Sequence, residues 1–150
     1  HIPPAAINEA ARQAKELGAW LVVVHGETLV EPVPKGTNQA ALSSPHVDIL
    51  AHPGLLSIEE ARSASQQGIF LEISSRSGHS LTNGHVYNMA QHTGAKLLLN
   101  SDTHREADLL TESFAQAVAR GAGLSEEEVK KTLLVHPHEL IDKLSLDKAR

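Results

Sequence analysis

The sequence predicts an α/β fold of about four parallel βα units, and three observations predict it. Helical and apolar strand-like segments alternate, with each unit repeating after roughly 22 to 27 residues. The strand-like segments are continuous apolar runs, as expected of parallel strands covered on both faces. Their C-terminal ends are polar (His25, His52, Ser74 to Arg76, then Asp102 and His104), whereas their N-terminal ends are the bland residues Ala19, Val47, Ile69 and Ala95. In parallel α/β folds the C-terminal strand ends share one mouth, so that asymmetry marks a candidate site.

Each element follows from its own residues. Pro3-Pro4 starts a helix that runs through "AAINEAARQAKELG" and stops at Gly18. "AWLVVVH" reads as the first strand, and a polar loop, "GETLVEPVPKG", leads to a short helix around residues 37–43. "VDILAH" is the second strand. In "SIEEARSASQQG", Ser57 and Glu60 have the spacing of a capping box and Gly68 suits the helix end. "IFLEIS" is the third strand, "SRSGHSLTNG" a loop, "HVYNMAQHTG" a helix and "AKLLLN" the fourth strand. The tail reads as helices over 108–121, then "SEEEVKKTLLV" capped by Ser125, then "PHELIDKL".

The chain has 150 residues, enough for one domain with a real core. A closed eight-stranded barrel takes about 250 residues. Four strands therefore fit either an open doubly wound sheet or part of a barrel, and a chain that begins at His1 without methionine reads as a fragment. No apolar run approaches the ~18 residues of a membrane helix, so no membrane contact is expected. The absence of cysteine excludes disulfides and thiolate metal sites and fits a cytoplasmic location. A net charge of −5 and 3% aromatic residues make nucleic acid an unexpected partner.

Ten histidines stand out. His25 and His52 each end an apolar run, and Asp102 and His104 follow the fourth strand at a spacing that, in extended chain, points both side chains the same way. Neutral imidazole and carboxylate are ligands for zinc, manganese or iron, so these four residues are the candidate metal set. The competing reading makes Asp102 a turn or helix cap and His104 a surface residue. Arg76 and His79 lie in the loop after the third strand and suit an anion, since guanidinium matches phosphate bidentately. Glu27 and Glu31 read as solvated loop carboxylates, and Glu72 as a residue facing the sheet interior. His46, His92, His136 and His138 read as structural or surface residues.

Together, "VVVHGETLVEPVPKGTN", "VDILAHPG", "LEIS…RSGHSLTNGH" and "NSDTH" resemble the PHP (polymerase and histidinol phosphatase) domain, in its histidinol-phosphatase-like branch. The resemblance implies that residues 1–150 are the C-terminal part of a distorted (β/α)7 TIM-like barrel. The N-terminal strands that carry a His-x-His motif and a bridging Glu would be missing. It implies up to three divalent ions, with His25 and His52 on one, Asp102 on a second and His104 on a third, and Asp102 and His104 as catalytic residues. The implied activity is hydrolysis of a small phosphorylated substrate by metal-activated water, with Arg76 and His79 on the phosphate. Self-association, or recruitment of the missing segment, is the implied partnership. An amidohydrolase-like metal-dependent hydrolase and a non-catalytic PHP-type scaffold are the alternatives.

Overall fold

The computed structural model describes residues 2–148. Helix α1 (Pro4–Glu16) has proline in its first turn, where a missing N–H costs nothing, and buries Ile7 and Ala11 one turn apart. The units β1 (Val23–His25), α2 (Thr37–Leu42), β2 (Ile49–Ala51), α3 (Ile58–Gln67), β3 (Phe70–Ser74), α4 (Asn83–Thr93) and β4 (Leu97–Asn100) follow. Helices α5 (Glu112–Gly121), α6 (Glu126–Lys130) and α7 (His136–Lys148) complete the chain, with a π-helical turn at Lys131–Val135 joining α6 to α7.

The four strands form one parallel sheet in the order β1-β2-β3-β4. Val23 pairs with Ile49, Ile49 with Phe70, and Glu72 with Leu98. Side chains alternate across a strand, and so two cores form. Leu50, Leu71, Ile73 and Leu97 pack with Ile7, Leu42, Ala61 and Val86 from α1 to α4. On the opposite face, Ile49, Phe70 and Leu98 pack with Leu140 and Leu144 of α7.

The α/β class and the four parallel strands stand, while the barrel does not close among the described residues. β1 and β4 are open edges. Three local expectations change. The first strand is shorter than "AWLVVVH": only Val23 to His25 pair along the ladder, because the Val22 N–H is taken by the Asp48 carboxylate (2.8 Å). Residues 79–82 of the third loop wind into a 3-10 turn, and α4 begins at Asn83. Helix α7 starts at His136, since Pro137 fits a first helical turn. Ser57 and Glu60 do make the capping box, and Gly68 ends α3 in the left-handed conformation.

Two close backbone approaches fix the mouth. A Cβ on Gly26 would lie 2.5 Å from the Ala51 carbonyl oxygen, and one on Gly54 only 1.9 Å from that of Glu27. The loops after β1 and β2 are thereby locked together.

Candidate metal-binding site

Strands β1 and β2 end side by side, so register alone brings His25 and His52 together; His25 is paired with Ala51. Their ring centroids are 4.4 Å apart, edge to face. His79 arrives from the loop after β3 and stacks on His52 at 4.1 Å. Each of the three rings offers a ligand nitrogen, and those atoms all lie within 4.8 Å of one another. His52 and His79 are buried, and His25 is half-buried.

The surroundings position each ring. Buried Glu72 on β3 accepts from Nδ1 of His52 (2.9 Å), and its other oxygen accepts from Nδ2 of Asn100 (2.8 Å). That contact fixes the proton on Nδ1 and turns Nε2 of His52 inward, where it is buried with no hydrogen-bond partner. His25 donates from Nδ1 to the Gly26 carbonyl (2.9 Å), because a carbonyl can only accept. His79 is placed by Asn83, whose carboxamide accepts from the Ser74 N–H (3.0 Å) and donates to the Ser74 carbonyl (2.8 Å). Those two bonds end β3 and aim the following loop at the mouth.

Electrostatics favour the neutral forms of His25 and His79. Burial, then the neighbouring His52, pushes His25 below its ordinary value, and His79 is lowered by the same two causes. Burial raises the Asp102 carboxyl, but the Arg76 hydrogen bond and charge, with the nearby His52 and His104, together outweigh it and leave the group below its usual range.

The predicted residues divide clearly. His25 and His52 come together. Arg76 pairs with Asp102 and not with an open anion site. His79, expected on substrate, stands inside the histidine group, with Nδ1 3.3 Å from Oδ2 of Asp102. His104 is exposed, and its Nδ1 donates to the Asp102 carbonyl (2.8 Å). The divergence has a backbone cause. Asp102 has φ +45, so the chain turns there and the extended geometry that would align Asp102 with His104 is lost. His52 shares the feature at φ +32; these are the two non-glycine residues of positive φ among those described. Such strain concentrates at functional positions.

Glu31 was missed. Its Oε2 lies 3.1 Å from Nε2 of His25 and its Oε1 3.1 Å from Nε2 of His79. A loop carboxylate that meets a histidine far along the chain carries no local sequence signal. Glu27 is not merely solvated either, since one of its oxygens accepts from the N–H groups of Gly36 (2.9 Å) and Asn38 (3.0 Å). Of the structural histidines, His136 donates to the Leu97 carbonyl and His92 to that of Asn88, as befits packing roles.

No family model matches the chain. An uncharacterized protein of Methanocaldococcus jannaschii is 51% identical over 144 residues, covering 96% of this chain and 66% of the relative. The chain thus spans just under two thirds of that relative's length. Among solved structures, a chain of archaeal ribonuclease P with mature tRNA superposes with a TM-score of 0.75 at 15% identity, covering 97% of this chain and 66% of that one. At that identity the likeness shows the fold.

These findings correct the expectations built on the PHP resemblance. The matching relative carries no phosphatase description, and the structural neighbour belongs to a ribonuclease P assembly. The histidinol-phosphatase-like activity, the enzyme assignment with its small phosphorylated substrate, and the amidohydrolase-like and PHP-scaffold alternatives are therefore set aside. So is the expectation that nucleic acid is an unsuitable partner, given a neighbour from a structure of archaeal ribonuclease P with mature tRNA. For location, one statement holds: no helix among the described residues is long and apolar enough to cross a membrane.

Proposed function

We propose that this chain is the α/β portion of an RNA-associated protein, working in a ribonucleoprotein of the ribonuclease P kind. The observation that carries the reading is the superposition over 97% of the chain on a component of archaeal ribonuclease P with mature tRNA. The strand order supports the same architecture. Doubly wound sheets reverse their strand order, whereas β1-β2-β3-β4 runs in one direction with α1 to α4 on one face, as in an arc of a (β/α) barrel. With a net charge of −5, few contacts to phosphate are expected. Affinity for RNA should then fall only shallowly with salt, with a slope near −0.7 to −0.9 per phosphate contact. The test is binding of the full-length protein to mature tRNA and to a ribonuclease P RNA across a salt series. Binding to either RNA that heparin does not displace at equal charge supports the reading. Failure to bind either one, alone or with the other protein subunits present, overturns it.

A second reading concerns the histidines. We infer that His25, His52 and His79 hold one transition-metal ion, because the inward Nε2 of His52 is buried without a partner amid two further imidazoles. Three imidazoles suit zinc or iron better than magnesium or calcium. Copurified metal at one equivalent, lost in His52→Ala, supports it, and a metal-free native protein that takes up no zinc refutes it.

A further inference from the structure

We propose that Glu31 is the fourth ligand of the histidine centre, and that the loop 26–36 is a strap which the ion closes. The inference rests on the reading of His25, His52 and His79 as a metal site. Its starting point is a conflict among hydrogen-bond roles. Nδ1 of His25 spends the proton of a neutral ring on the Gly26 carbonyl, so Nε2 presents a lone pair to a Glu31 oxygen 3.1 Å away. His79 faces carboxylates at both nitrogens, Glu31 at 3.1 Å and Asp102 at 3.3 Å, with one proton to share. A lone pair facing a carboxylate is repulsive, and a cation between them, a ring proton or a metal ion, removes the repulsion.

Glu31 contacts the His25 and His79 rings, Glu72 the His52 ring and Asp102 the His79 ring, while Arg76 pairs with Asp102. A divalent cation among the three rings would therefore meet carboxylate charge from three sides. Three imidazole nitrogens and one carboxylate oxygen make the tetrahedral donor set of a closed zinc site. A closed shell leaves no coordination position for solvent, which accords with a structural centre and not a hydrolytic one.

The strap is built to deliver Glu31. Its two ends are joined by Glu27, which accepts from Gly36 and Asn38, while the Glu27 N–H donates to Oδ1 of Asn38 (3.0 Å). At its tip, Val30 packs over Gly78, where an added Cβ would lie 3.0 Å from a Val30 methyl. Between pinned ends and seated tip, the carboxylate has a defined approach to His25 and His79.

The experiment uses the full-length protein with zinc and with Co(II) as a spectroscopic probe, in wild type, Glu31→Gln and His52→Ala. Wild type should bind one Co(II) with the intense visible absorption of a four-coordinate site. Glu31→Gln should weaken zinc by roughly ten-fold or more in chelator competition and reduce the Co(II) absorption. Zinc should also slow proteolysis or hydrogen exchange within residues 26–36 in wild type, and not in Glu31→Gln. Equal zinc affinity and an unchanged Co(II) spectrum in Glu31→Gln would overturn the fourth-ligand assignment while leaving the three-histidine site in place. Wild type that binds no ion, or His52→Ala that binds as wild type does, would remove the site itself.

Discussion

The mouth of this sheet depends on single side chains that do two jobs at once. Asn83 satisfies both backbone groups of Ser74, which is fully buried. Replacing Asn83 with Ala strands a buried donor and a buried acceptor, at about 1–3 kcal/mol each. Chemical denaturation should show that loss, with His79 displaced and metal uptake reduced alongside it. Glu72 acts differently, since it holds His52 in one tautomer and is itself held by Asn100. Glu72→Gln keeps the shape but weakens the orienting contact, and zinc affinity should fall roughly 10–100-fold with little change in secondary structure. Isothermal titration checks it. Retained affinity would mean that His52 is oriented by packing alone. At this scale the sequence was partly legible. His25 and His52 could be read because strand ends converge whatever the loops do. Asp102 and His104 could not, because the inference assumed extended backbone where Asp102 turns left-handed.

Among the elements, α6 is the shortest α-helix of those described, and it is held by its cap, by Val129 in the core, by the Arg120–Glu126 ion pair from α5 and by Tyr87 of α4. Ser125 and Glu128 form a capping box, and the Tyr87 hydroxyl of α4 donates to the Glu128 carboxylate (2.8 Å). Those contacts, from Ser125 first, hold the Glu128 carboxyl below its usual range. A carboxyl lowered in the folded state adds stability above the ordinary carboxylate pKa and loses it as pH falls through the lowered value. The gap in melting temperature between wild type and Glu128→Gln should therefore be present at neutrality and close on acidification. A gap independent of pH would assign the effect to geometry. The cap residue Ser125 was legible in the sequence, as was the capping box of α3; the partnership of Ser125 with Glu128 appears in the structure. The strap over the mouth was not, because Glu27 and Glu31 owe their roles to Asn38, His25 and His79, which are neighbours only after folding.

Across the whole molecule, the second face of the sheet depends on one helix. Leu140 and Leu144 of α7 cover Ile49, Phe70 and Leu98. The double substitution Leu140→Ala, Leu144→Ala should cost about 2–5 kcal/mol per site and expose a dye-binding apolar surface. Unchanged stability would mean that the sheet does not need this cover. The α/β class and the strand count were legible in the alternation of apolar runs and capped helices. The two open edges were legible as well, since four strands cut from a barrel leave both outer ones without a neighbour among the described residues. The sequential strand order also bears on how the protein is made. Each strand pairs with the one synthesised just before it, so the sheet can grow from its β1 edge while translation continues. The helix that seals Ile49, Phe70 and Leu98 leaves the ribosome only after all four of these strands. Between the synthesis of β4 and that of α7 the nascent chain therefore carries a four-stranded sheet with one oily face bare, and it is in that interval that a chaperone has something to hold.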